Sequence, residues 1–130
     1  MLKFSYTILY VKNVLETVAF YENAFGFKRR FVTEEGNYGE LISESVTLSF
    51  ASVELAKSNL PGGFMAVNIA DQPFGIEIGF TTNDVAGIME KATQFGAIVV
   101  AEPKTKPWGQ VVGYLRDING FLIEICTPMQ

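Results

Sequence analysis

Two glutamates stand at spacings that could do chemistry. Glu77 lies in Ile76-Glu77-Ile78-Gly79-Phe80-Thr81, and Glu124 lies in Phe121-Leu122-Ile123-Glu124-Ile125-Cys126. In each stretch the residues on either side of the acid are apolar. Period-two alternation therefore sends both carboxylates to the face opposite the isoleucines. Two carboxylates facing one apolar hollow repel each other and are poorly solvated, which raises the pKa of at least one. Such a group can serve as a general base or can hold a cationic ligand. The alternatives for each are a basic neighbour such as Arg116 or plain exposure to water. The chain has no histidine, so imidazole-dependent nucleophiles and His-ligated zinc are excluded. Its one cysteine, Cys126, has no basic neighbour in sequence and reads as a buried structural thiol.

Aromatic residues supply the second set of candidates. Trp108 sits in Lys106-Pro107-Trp108-Gly109-Gln110, where Pro and Gly restrict the backbone and hold the indole for stacking on a planar or cationic ligand. Packing across a dimer or capping the core is the competing role. Tyr6, Tyr10, Tyr114 and Phe50 are the remaining residues expected to contact a ligand.

These side chains need strands to aim them. Tyr6–Val11 reads as a strand, Asn13 as an N-cap, and Val14, Val18, Tyr21 and Phe25 as one helical face ending at Gly26. Strands over 27–33, 38–43 and 45–51 follow. The order then repeats. A strand over 76–82 leads to Asp84 as N-cap and a helix stopping at Gly96. Next come a short strand over 97–101, a loop over 103–107, and strands over 111–116 and 121–127. The last two flank the Asn119-Gly120 turn. Asn13-Val14 is matched by Asp84-Val85, and Phe25-Gly26 by Phe95-Gly96. The chain is expected to be α+β, with two βαβββ modules over about 1–52 and 74–130. The linker over 53–73 contains a short helix over 53–60 and is expected to cover part of a pocket.

Composition narrows the class. The 130 residues are 48% hydrophobic and 18% charged, enough for one well-packed domain. The net charge of −4 argues against nucleic acid as a partner. Lys28-Arg29-Arg30 is the one basic run and reads as a solvated strand edge. No run approaches the length of a membrane span, and no leader is expected at the start, so a cytoplasmic location is expected.

Three stretches carry a family resemblance. They are Tyr6–Val14 running into Phe20-Tyr21, Ile78–Phe80 with Asn83-Asp84-Val85, and Lys106–Gln110 through Arg116–Glu124. With these the chain resembles the glyoxalase / bleomycin-resistance / dioxygenase (vicinal oxygen chelate) superfamily. The resemblance implies paired βαβββ modules curled around a cleft, usually completed by a homodimer. In metal-using members it also implies ligands on the first and last strand of each module. Those positions are Tyr6, a residue within Val46–Phe50, Glu77 and Glu124. Only two of them carry carboxylates, and no register of Val46–Phe50 supplies another. The expected function is therefore metal-independent binding of an aromatic or cationic small molecule, without a cofactor. The alternative is a lyase, isomerase or dioxygenase of the glyoxalase type using Glu124 and Glu77, with or without one divalent metal.

Overall fold

A computed structural model describes residues 1–129. The chain divides into two compact units, Met1–Ala66 and residues 67 onward, each built as β-α-β-β-β.

The first unit runs β1 (Thr7–Val11), α1 (Val14–Phe25), β2 (Lys28–Val32), β3 (Tyr38–Ser43), β4 (Val46–Ser52) and α2 (Val53–Asn59). Its sheet has the order β1-β4-β3-β2, with β1 and β4 parallel and the other pairs antiparallel. α1 starts where Asn13 accepts a hydrogen bond from Glu16 N at 2.9 Å, and ends at Gly26 in the left-handed region. Val14, Val18 and Tyr21 of α1 are buried with Leu9, Val11, Leu41, Leu48 and Phe50 of the sheet. Gly39 lets the helix approach, because a Cβ there would lie 3.1–3.3 Å from Val32, Val14 and Val18.

The second unit runs β5 (Glu77–Thr81), α3 (Val85–Gln94), β6 (Ile98–Thr105), β7 (Val111–Arg116) and β8 (Leu122–Cys126). The sheet order is β5-β8-β7-β6, again with the first pair parallel. Leu115, Ile123 and Ile125 are fully buried on the face that α3 covers. Asp84 caps α3 by accepting from Gly87 N at 3.0 Å.

β6 extends past the expected loop start and carries Pro103 within it. It is an edge strand whose pairing with β7 slips between Ala101 and Lys104, so the proline removes no ladder hydrogen bond. The 117–120 turn is organised by the Asp117 carboxylate, which accepts from the N–H groups of Asn119, Gly120 and Phe121, each at 2.9 Å. Each half of the expected linker is tied to its own unit. Phe64 packs on Tyr10 with ring centroids 4.8 Å apart. In the second unit, Arg116 donates to the carbonyls of Asn68, Ile69 and Asp71. Among the described residues no helix is long and apolar enough to cross a membrane.

Candidate functional site

The open face of the second sheet, opposite α3, is set by strand register. β5 and β8 pair Gly79 with Glu124, and β7 pairs Tyr114 with Glu124. Cross-strand partners share a face, so Glu77, Gly79, Tyr114, Glu124 and Cys126 point the same way. The Glu124 carboxylate lies over Gly79: a Cβ there would sit in ordinary contact, 3.7 Å from Glu124 Oε2.

Glu77 and Glu124 are in hydrogen-bonding contact, and the Glu77 carboxyl is raised above its ordinary pKa. Partial desolvation is the main cause; the Glu124 charge and the contact with it follow. Tyr114 Oη donates to Glu124 Oε1 at 3.0 Å. Its phenol is pushed up to about 12, first by desolvation and then by that hydrogen bond and the negative charge of Glu124. The Cys126 thiol is also raised, by desolvation and then by Glu124, while the Gln110 amide draws it the other way. Neither Glu77 nor Glu124 forms an ion pair with Lys or Arg among the described residues. Arg116, the basic neighbour weighed from sequence, instead spends its guanidinium on four backbone carbonyls, those of Gly120, Asn68, Ile69 and Asp71.

Trp108 is 64% exposed beside a groove of about 740 Å³, with Gln110, Val111, Thr127 and Asn83 among its lining. Its indole N–H donates to Gln110 Oε1 at 2.9 Å, and Gln110 Nε2 donates to Thr127 O at 2.8 Å. The carboxylate pair is outside the lining of this groove. Gln110, which accepts from the Trp108 indole, and Glu124 both act on the Cys126 thiol, so the thiol's surroundings link the two sets of residues. From sequence alone Gln110 has no assigned role, while Cys126, which reads there as a buried structural thiol, is buried. The Trp-x-Gln spacing was the one local signal for this link.

In the first unit the structure separates the expected ligand contacts. Tyr10 lies on the open face under Phe64, and Tyr6, just before β1, is 54% exposed. Phe50 was expected to line the site but is on the other face. It is fully buried and packs on Tyr21 with ring centroids 5.0 Å apart, so it belongs to the core under α1. The residue of β4 that faces the open side is Ser49, the partner of Ile8 and Glu40. Tyr38 and Glu40 share that face, and Tyr38 Oη donates to Glu40 Oε2 at 2.7 Å. Neither was singled out from sequence, although Tyr38-Gly39-Glu40-Leu41 alternates polar and apolar in plain view.

These donors do not suit a transition metal. The four positions implied by the resemblance hold a phenol, a serine hydroxyl and two carboxylates, where such ions select imidazole, thiolate or several carboxylates. Among the described residues no three His, Cys, Asp or Glu side chains gather to hold one.

The architecture is shared with solved structures. A glyoxalase-related enzyme from Fulvimarina pelagi aligns with a TM-score of 0.82 at 18% identity, covering 98% of this chain and 89% of that one. A glyoxalase/bleomycin resistance protein/dioxygenase family enzyme from Burkholderia phytofirmans PsJN aligns at 0.75 and 18%, covering 95% and 96%. A member of the same superfamily from Sphaerobacter thermophilus aligns at 0.73 and 17%, covering 98% of each chain. At such identities the likeness speaks for the fold alone. No curated protein matches the chain. The family model for the Glyoxalase/Bleomycin resistance protein/Dioxygenase superfamily matches residues 3–125, and with its repeated β-α-β-β-β units the chain belongs to that superfamily.

Proposed function

We propose that the chain binds a small aromatic cation, without a metal or cofactor, on the open face of its second sheet. One observation carries this reading: Glu77 and Glu124 lie in contact on that face with no basic partner among the described residues. Two adjacent carboxylates are costly when both are charged, and a cation carrying N–H donors relieves the repulsion while filling their lone pairs. Tyr114 orients Glu124, and Trp108 offers an aromatic surface for the body of the ligand. A homodimer belongs to the same reading and is measurable by light scattering. A carboxylate-based lyase or isomerase is the second reading. It is favoured by the raised Glu77 carboxyl, which suits a general base acting on a C–H next to a carbonyl.

The test is a titration with benzamidinium against its neutral analogue benzamide, followed by calorimetry and by the fluorescence of the single tryptophan. Benzamidinium is expected to bind and to lose roughly tenfold or more in affinity in Glu124→Gln. Equal binding of benzamide, or a Glu124→Gln variant that binds as well as the parent, refutes the proposal.

A further inference from the structure

The groove beside Trp108 has a chemistry of its own. Its volume of about 740 Å³ is that of a small-molecule site, and none of the side chains lining it is charged. The fold does not impose that neutrality. The first unit has a groove of about 610 Å³ at the matching place in its own repeat, lined by Lys12, Glu35, Glu54 and Lys57. There the adjoining turn is closed by Gly36 N–H on Thr33 O at 2.9 Å. In the second unit it is closed by Gly109 N–H on Lys106 O at 2.8 Å, and both glycines have positive φ. Glu35 precedes the one glycine and Trp108 the other.

Trp108 is exposed and yet fixed. Gln110 Oε1 holds its indole N–H at 2.9 Å, and Gln110 Nε2 is itself anchored on Thr127 O at 2.8 Å. The backbone beneath is tied by Lys106 N–H on Gln110 O at 2.7 Å. Holding a 64% exposed side chain in one pose costs rotamer freedom and buries little area, so the return lies in what stacks on the ring. The rest of the lining is ready to hydrogen-bond. Thr127 Oγ1 accepts from Val111 N at 2.9 Å and keeps its own proton to donate. The exposed Asn83 amide, with no hydrogen bond among the described residues, offers both donors and an acceptor.

We infer that this groove is a binding site for a neutral pyranose sugar, one ring face stacked on the Trp108 indole and its hydroxyls paired with Asn83 and Thr127. A pyranose chair presents axial C–H bonds on a face and hydroxyls around its rim. The electron-rich face of an indole attracts the first, and amide and hydroxyl groups pair with the second. A flat aromatic ring would turn bare C–H edges toward Asn83 and Thr127. A charged ligand would meet no counter-charge in the lining. The inference stands on the groove alone and does not require the carboxylate pair, although Trp108 is common to both readings.

The experiment is saturation-transfer NMR and tryptophan fluorescence of the intact chain with methyl β-D-glucopyranoside, compared with methyl β-D-glucuronide, glycerol and benzyl alcohol. The glucoside is expected to bind saturably and more tightly than the other three. The axial hydrogens of one ring face should receive clearly more saturation than those of the other. Trp108→Ala should abolish binding, and Trp108→Phe should retain a weakened form of it. Asn83→Ala should weaken the glucoside by roughly threefold or more and leave benzamidinium affinity at its parent value, so that failure of the cation reading and failure of this one are read separately. The inference is overturned if the glucoside does not bind, if its two faces are saturated evenly, or if any comparison compound binds as well. An Asn83→Ala variant that binds the glucoside like the parent overturns it too, whether or not Trp108→Ala folds.

Discussion

Replacing Glu124 with Gln should move three titrations together, and in one direction. Tyr114 sits at about 12, against 10.0 for a free phenol. Desolvation, its largest cause, is untouched by an isosteric amide. The Glu124 charge is lost, and the hydrogen bond, 3.0 Å long in the parent, becomes one to a neutral acceptor. Removing that charge lowers the phenol's pKa, so Tyr114 should fall from about 12 toward, but not to, the free value of 10.0. Glu77 and Cys126 should fall as well, because Glu124 raises both. Neither should return fully, since burial is the leading cause for each. Tyrosine labelled with ¹³C at Cζ and titrated by NMR, with Tyr114→Phe to assign the resonance, reads the first shift directly. The variant's Glu77 side-chain carboxyl resonance reads the second. A Tyr114 that titrates at the same pH in parent and variant would refute the contact geometry of the whole cluster.

Other consequences follow from the same packing. Glu77 has a folded pKa above its unfolded value, so the unfolded chain loses the proton first as pH rises. Stability should decline between the two pKa values and level off above the folded one, and Glu77→Gln should abolish that step in urea melts run from acid to neutral pH. Gly39→Ala places a methyl against three stiff valines and should cost about 1–3 kcal/mol by chemical denaturation; an unchanged midpoint would contradict the packing of α1. Arg116→Lys keeps the charge but loses the fork that reaches four carbonyls. It should cost about 2–3 kcal/mol and speed hydrogen exchange at Ile69–Asp71.

What could be read from the sequence was whatever depends on period and caps. Asn13, Gly26 and Asp84 mark helix ends by local chemistry, and they do so in the structure. Glu77 and Glu124 reach one face because alternation within each strand is fixed and the two strands pair. Phe50 was misplaced for a register reason. β3 and β4 join through Glu44-Ser45, with Glu44 in the left-handed region and no glycine or asparagine to announce the turn. A one-residue slip there exchanges Phe50 for Ser49 on the open face. The Tyr38–Glu40–Ser49 cluster and the Trp108–Gln110–Cys126 chain each join residues on different strands or loops. Local spacing records the Tyr38–Glu40 and Trp108–Gln110 pairs, but the contacts of Ser49 and Cys126 with them depend on which strands become neighbours.

A double-mutant cycle on benzamidinium binding tests the central claim most directly, with calorimetry on the parent, Glu77→Gln, Glu124→Gln and the double variant. If the two acids act as one anionic pair, each single change should weaken binding by roughly tenfold, and the double should cost little more than either single. Losses that simply multiply, or a double variant that binds as tightly as the parent, would contradict it.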